Sequence, residues 1–201
     1  MSSIPLSPLQ RYLKDLERDG FVADAAQKMA VDKLQALYSV LIDDQKQRDR
    51  EARKWFNKFR KTHPKPVKGL YFWGGVGRGK TYLMDNFFES LPFDQKMRIH
   101  FHRFMQRVHA ELQKLEDQSN PLLIVADKLS QEARIICFDE FFVSDIGDAM
   151  ILAGLMEALF ARGVSLVCTS NIVPDGLYKD GLQRARFLPA IALVNKHTEV
   201  V

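Results

Sequence analysis

The sequence predicts an α/β protein, a parallel sheet with helices on both faces, preceded by a helical segment. Three observations lead there. From Gly69 onward, short apolar runs alternate with longer amphipathic stretches. One run, "GLYFW", opens directly into a glycine loop followed by a helix-forming stretch. Two more runs, "RIICFDE" and "SLVCTSN", end in polar residues suited to strand tips.

Each element follows from its pattern. Leu13 and Leu16 belong to a first helix, and Leu34, Leu37, Tyr38 and Leu41 form one apolar face of a second. The stretch "KTHPKPVK", with two prolines and several lysines, marks a connector that divides the chain into a helical segment 1–66 and a core 67–201. In the core, "GLYFW" is a strand and "KTYLMDNFFESL" a helix. "MRIHFHRF" alternates as a strand and "QRVHAELQKLE" is helical. "ARIICFDEF" is a buried strand, "DAMILAGLMEALFARG" a helix closed by Gly163, and "SLVCTSN" a further buried strand. A last helix runs from about Phe187 through "AIALVN".

Composition narrows the class. The apolar fraction of 46% suits a globular protein with a true core, and no apolar run approaches the ~20 residues of a membrane span. The start lacks an apolar signal region and carries Asp15, Glu17 and Asp19, so the expected location is the cytoplasm. Cys137 and Cys168 lie in apolar strands and read as buried thiols. The net charge of +4 is uneven. Between Lys46 and Lys68, ten Lys or Arg face only Asp49 and Glu51. Such a segment suits an acidic partner, nucleic acid or lipid headgroups. A solvated helix face is the simpler account, so nucleic acid is not expected as a partner and membrane association is at most peripheral. Ala52, Trp55, Phe56 and Phe59 form a stripe that packs one side of this segment.

The glycine loop fits G-x-x-x-x-G-K-[ST] as Gly74, Gly75, Val76, Gly77, Arg78, Gly79, Lys80 and Thr81, with Tyr82 following. Glycines let backbone N–H groups converge on phosphate oxygens, and the next helix adds its positive end. Lys80 then reaches the β- and γ-phosphates as a point charge, and the Thr81 hydroxyl ligates Mg²⁺. The expected ligands are therefore ATP and Mg²⁺.

A second apolar strand ending in acids separates hydrolysis from transfer. Asp139 at its tip holds the metal, and Glu140 polarises water for attack on the γ-phosphate. Asn171, at the tip of "SLVCTSN", is placed to bond the γ-phosphate and the attacking water, although Asn is also a common turn residue. Guanine specificity would want N-K-x-D, and "NKHT" at 195–198 lacks the acid. Arg184, with Arg186 second, is the candidate arginine finger acting on a neighbouring subunit's nucleotide. His100 and His102 share a face if both lie on a strand, and with His109 they are conceivable metal ligands; a structural or substrate-facing role is preferred.

These motifs together resemble the ZapE family of bacterial AAA+ ATPases, with its AFG-type mitochondrial relatives. The resemblance is carried by "GLYFWGGVGRGKT", "RIHFHRFM", "ICFDEFFVSDIGDAMIL" and "TSNIVPDGLYKDGLQRARFLPAI", covering most of residues 69–191. It implies a P-loop NTPase of AAA+ type with strand order 5-1-4-3-2, a homo-oligomeric ring in the full-length form, and ATP-dependent association with the tubulin-like division protein FtsZ at the division site. It also implies a fifth core strand beginning only about Val201, so that a C-terminal lid with its sensor arginine is expected to be absent here. Alternatives in the same fold are a helicase-loader ATPase acting on DNA complexes, and a nucleotide-gated adaptor without turnover.

Overall fold

The computed structural model describes residues 5–18, 24–53, 64–77 and 79–201, with side chains of the second helix described to residue 50. Trp55, Phe56 and Phe59 of the apolar stripe, much of the basic segment, and Arg78 lie outside the described residues.

Two helices come first, α1 (Pro8–Leu16) and α2 (Ala25–Arg53). The core follows with strands and helices alternating, except that two helices join β2 to β3: β1 (Gly69–Trp73), α3 (Lys80–Ser90), β2 (Lys96–His100), α4 (Phe101–Gln113), α5 (Pro121–Glu132), β3 (Ile135–Asp139), α6 (Ile146–Ala161), β4 (Ser165–Ser170), α7 (Leu188–His197) and β5 (Thr198–Val200). The sheet order is β2-β3-β4-β1-β5, and every pairing is parallel. This is the predicted order, read from the other edge. The β4 strand therefore lies between the loop-bearing β1 and the acid-bearing β3.

Strand alternation sorts the core into two layers. Leu70, Phe72, Ile135, Cys137 and Val167 face α1, α2 and α3, where they meet Leu34, Leu41 and Phe87. Tyr71, Ile136, Phe138, Leu166 and Cys168 face α4 to α7, where they meet Phe101, Phe104, Leu155 and Val194. Sheets buried on both faces need such continuous apolar strands, which is why β1, β3 and β4 read so clearly. Both cysteines are buried free thiols, and desolvation pushes the Cys137 thiol up to about 12.

The N-terminal helices pack into the first layer. Arg134, 4% exposed at the entry to β3, pairs with Asp44 on α2 and also reaches Gln45 and the Leu41 carbonyl. Ser7 caps α1 with a reciprocal Ser7–Gln10 capping box.

Three local expectations change. The strand expected over "MRIHFHRF" ends at His100, and α4 begins at Phe101. His102 is thus on the first turn of a helix, so the shared strand face does not exist; the rings lie 6.0 Å apart. Phe101 decides the switch by burying itself against Phe138 and Phe141, at centroid distances of 5.5 and 4.5 Å. Helix α5, whose mixed sequence gives no strong period, lay unassigned between the preceding helix and β3. The fifth strand is already formed at Thr198–Val200, paired with Gly69–Tyr71 of β1, rather than beginning at Val201.

Candidate functional site

The glycine loop leaves β1 and returns as α3. Gly77 and Gly79 take φ of 82° and 75°, left-handed values that favour glycine. Gly79 is the N-cap of α3, and Leu83 N–H closes the first turn on its carbonyl at 3.0 Å. Gly74 N–H donates to Ser170 O at 3.2 Å, tying the loop's root to the tip of β4.

Val76, Gly77, Gly79, Lys80 and Thr81 form one wall of a cleft of about 470 Å³. Asp139, Glu140, Thr169, Asn171, Arg98 and His100 form the rest. Three strand tips and the loop therefore converge, as parallel sheets allow at their carboxyl edge. Lys80 Nζ donates to Gly74 O at 2.5 Å, Gly75 O at 2.8 Å and Asn171 Oδ1 at 2.9 Å. Burial lowers its pKa.

Asn171 is held in place by its neighbours. Tyr71 Oη on β1 donates to Ile172 O at 2.7 Å, and Ile172 N–H donates to Ser170 Oγ at 3.1 Å. Desolvation raises the Tyr71 pKa, so the phenol stays a donor. The aromatic run before the loop thus also anchors the segment carrying Asn171.

Glu140 is exposed and adopts φ 55°, a left-handed conformation uncommon outside glycine. Its N–H donates to Thr169 Oγ1 at 3.3 Å, while Phe141 N–H donates to Thr169 O at 2.7 Å. Residue 169 on β4 therefore sets the turn that lifts Glu140 into the cleft. The strain belongs at a site where a side chain must be aimed.

Arg98 on β2 was not singled out in the sequence, and it is the main addition. Its Nε lies 2.8 Å from Asp139 Oδ2 and its Nη2 3.4 Å from Asp139 Oδ1; Nη1 pairs with Asp85 on α3. Desolvation opposes its charge, but the hydrogen bonds it donates to Asp139 and Asp85, with their negative charges, outweigh that and raise its pKa. An arginine on a half-buried edge strand carries no sequence signal for this role.

Other candidates sit elsewhere. Gly74 and Gly75, with Lys80, line a second cleft of about 370 Å³ between β1 and the start of α2, together with Asp24, Gln27, Met29, Trp73 and Val201. The Gln27 Oε1 there is buried without a partner. Tyr82 directs its hydroxyl to Asp15 Oδ2 on α1 at 2.9 Å and lines neither cleft. Arg184 and Arg186 lie in a 3₁₀ turn before α7. Arg184 Nη2 donates to Asp175 O at 2.7 Å, whereas Arg186 is exposed and its Nη1 donates to Gln183 Oε1 of its own turn at 3.2 Å. His109 pairs with Asp148 at 2.7 Å, a contact between α4 and α6.

Thr81 and Asp139 offer hard oxygen donors within one cleft, a set suited to Mg²⁺, which keeps waters and substrate phosphates as most of its ligands. Among the described residues, no group of three or more His, Cys, Asp or Glu could hold a metal alone. No helix among them is long and apolar enough to cross a membrane.

A family model described as AFG1-like ATPase matches residues 6–201. The chain is 52% identical over 202 residues to the cell division protein ZapE of Escherichia coli K12, covering 98% of this chain and 54% of that protein. It thus spans about half the length of the curated relatives it matches. Among solved structures, DnaI superposes with a TM-score of 0.55 at 15% identity, covering 91% of this chain and 87% of that one. The DnaC helicase loader does so at 0.55 and 12%, covering 90% and 93%. At such identities the likeness is one of fold, that of P-loop AAA+ proteins.

Proposed function

This chain belongs to the AFG1-like ATPase family, and from that premise we propose that it binds ATP with Mg²⁺ and, in the whole protein, hydrolyses it to ADP and phosphate in support of cell division. One observation carries the reading: Lys80, Thr81, Asp139, Glu140 and Asn171, drawn from three separate motifs, line a single cleft.

The geometry supports the following division of labour. The glycine loop and the start of α3 present N–H groups to the phosphates. Lys80 exchanges its loop carbonyls for phosphate oxygens. Thr81 and Asp139 would hold the metal, which would supply charge neutralisation at the phosphates. Glu140 accepts the proton of the attacking water, and Asn171 orients that water and the γ-phosphate. The second cleft takes the base, with the unpartnered Gln27 Oε1 an acceptor for an exocyclic amine such as that of adenine.

Finer parts of the reading rest on the relatives. The likeness to a cell division protein supports association with an FtsZ-like partner and recruitment to the division site. In a homo-oligomeric ring, an arginine from this 3₁₀ turn would act on the neighbouring nucleotide. Arg186, being exposed, is better disposed to leave its subunit than Arg184, which Asp175 holds.

The test is phosphate release from ATP by the full-length protein against Glu140→Gln. Wild-type turnover with a loss of about 10²-fold or more in the variant supports the enzyme. Equal inactivity of the two, with ATP binding intact, identifies a nucleotide-gated adaptor instead.

A further inference from the structure

Among the described residues, Arg98 is the one charged side chain of the phosphate cleft to which the nucleotide reading gives no task. We propose that Arg98 sets the divalent-cation affinity of the site by competing with the metal for Asp139, while Asp85 receives the guanidinium when the metal binds. This rests on the reading of Asp139 as the metal's carboxylate.

The geometry is that of a shared arginine. A guanidinium presents five N–H donors in a fixed fork. Here the Nε and Nη2 edge faces Asp139, and Nη1 faces Asp85. Both oxygens of Asp139 are therefore engaged, and its negative charge is countered. The Arg98 and Asp139 side chains are 21% and 14% exposed, so water screens their attraction only weakly, whereas Asp85 is 50% exposed. The Asp139 contact is the stronger hold and the Asp85 contact the weaker.

An arriving dication meets two obstacles. It must share a carboxylate each of whose oxygens already accepts from the guanidinium, and it approaches a fixed positive charge. Asp85 lowers both by keeping a counter-charge on the far side of the fork, so that Arg98 can release Asp139 without being left unpaired. Asp85 lies on α3, five residues after Lys80, so the helix that carries the phosphate lysine also carries this second acceptor. A merely structural clamp of β2 to β3 and α3 predicts no such opposition between the two acids.

The experiment titrates Mn²⁺, as a stand-in for Mg²⁺, into the full chain saturated with ADP, following loss of the free-ion electron paramagnetic resonance signal. Arg98→Met is expected to tighten Mn²⁺ binding by roughly tenfold, the scale of one nearby unit charge at moderate screening. Asp85→Asn is expected to weaken it about threefold, and to have no effect in the Arg98→Met background, because the acid acts only through the arginine. An unchanged or weaker midpoint in Arg98→Met, or an equal Asp85→Asn effect in both backgrounds, overturns the proposal. Should Arg98→Met unfold, as read by circular dichroism, Asp85→Asn alone decides by direction, and unchanged or tighter binding overturns it. Asp139→Asn separates the two levels of the argument. If it titrates like wild type, the metal reading of Asp139 falls and the proposal with it. If it loses the ion while Arg98→Met has no effect, only the proposal falls.

Discussion

The Lys80 ammonium lies 2.9 Å from Asn171 Oδ1, so the loop after β1 and the tip of β4 meet across the cleft through one hydrogen bond. Lys80 has two further acceptors on its own loop, at Gly74 and Gly75. Under the proposed function, the lysine is thereby pre-positioned for the γ-phosphate.

The two residues of that pair should fail differently. Lys80→Met is expected to abolish ATP binding, because it removes the only positive side chain that α3 projects at the phosphates. Asn171→Ala should leave the dissociation constant within about threefold and slow turnover about 10²-fold, the usual loss for one transition-state hydrogen bond. Calorimetry and a phosphate-release assay measure the two quantities. Equal loss of binding in both variants would count against the separation of roles.

Glu140 should show a trade of stability for activity. Its φ of 55° is one that glycine adopts without strain. Glu140→Gly is expected to keep or raise the unfolding free energy by up to about 1 kcal/mol while losing hydrolysis. Thermal unfolding and phosphate release on the same sample test this, and a marked loss of stability would show that the residue is unstrained.

The Asp44–Arg134 pair should bind the N-terminal helix into the core. Arg134 is 4% exposed, and desolvation lowers its pKa. Asp44→Ala strands that charge, at a cost of roughly 3 kcal/mol, or a fall in Tm of about 6–12 °C for a chain of this size. Asp44→Leu with Arg134→Met should recover much of the loss. An unaltered Tm in Asp44→Ala would mean that Gln45, which Arg134 also reaches, leaves α2 anchored without the pair.

Stability should fall on mild acidification through His197. Its ring stacks on Phe160 at 4.0 Å, and burial, with Lys196 beside it, lowers its pKa below 6.5. The folded state thus favours the neutral ring, and the unfolded state binds more protons below the ordinary value. The contribution is complete above pH ~6.5 and declines as pH drops toward the lowered folded value. His197→Gln should flatten the Tm profile between about pH 7 and 5. A profile that keeps its slope places the acid sensitivity elsewhere.

Much of this was legible before any coordinates. The buried strands around the site could be anticipated because "GLYFW", "RIICFDE" and "SLVCTSN" are largely apolar, as doubly covered strands must be, and because each leads into residues whose chemistry needs a strand tip; their lateral order was implied only by the family resemblance. The change from strand to helix at Phe101 was not legible. His100, the N-cap of α4, makes no side-chain cap hydrogen bond, and period-two alternation continues through Phe101 and His102, past the true end. Nor did Arg134 announce itself, since its acid lies 90 residues away.

The sequence by itself determined the phosphate loop, the two acids, the Asn and the sheet that presents them, because local spacing and strand burial fix those features within a few residues. Only the tertiary structure decided who shares a charge with whom. Arg98 meets Asp139 and Asp85 from three different elements, Gln27 comes to the loop from α2, and Glu140 turns on Thr169 of a neighbouring strand. Such partnerships depend on register and packing between segments distant along the chain, and no period or motif records them.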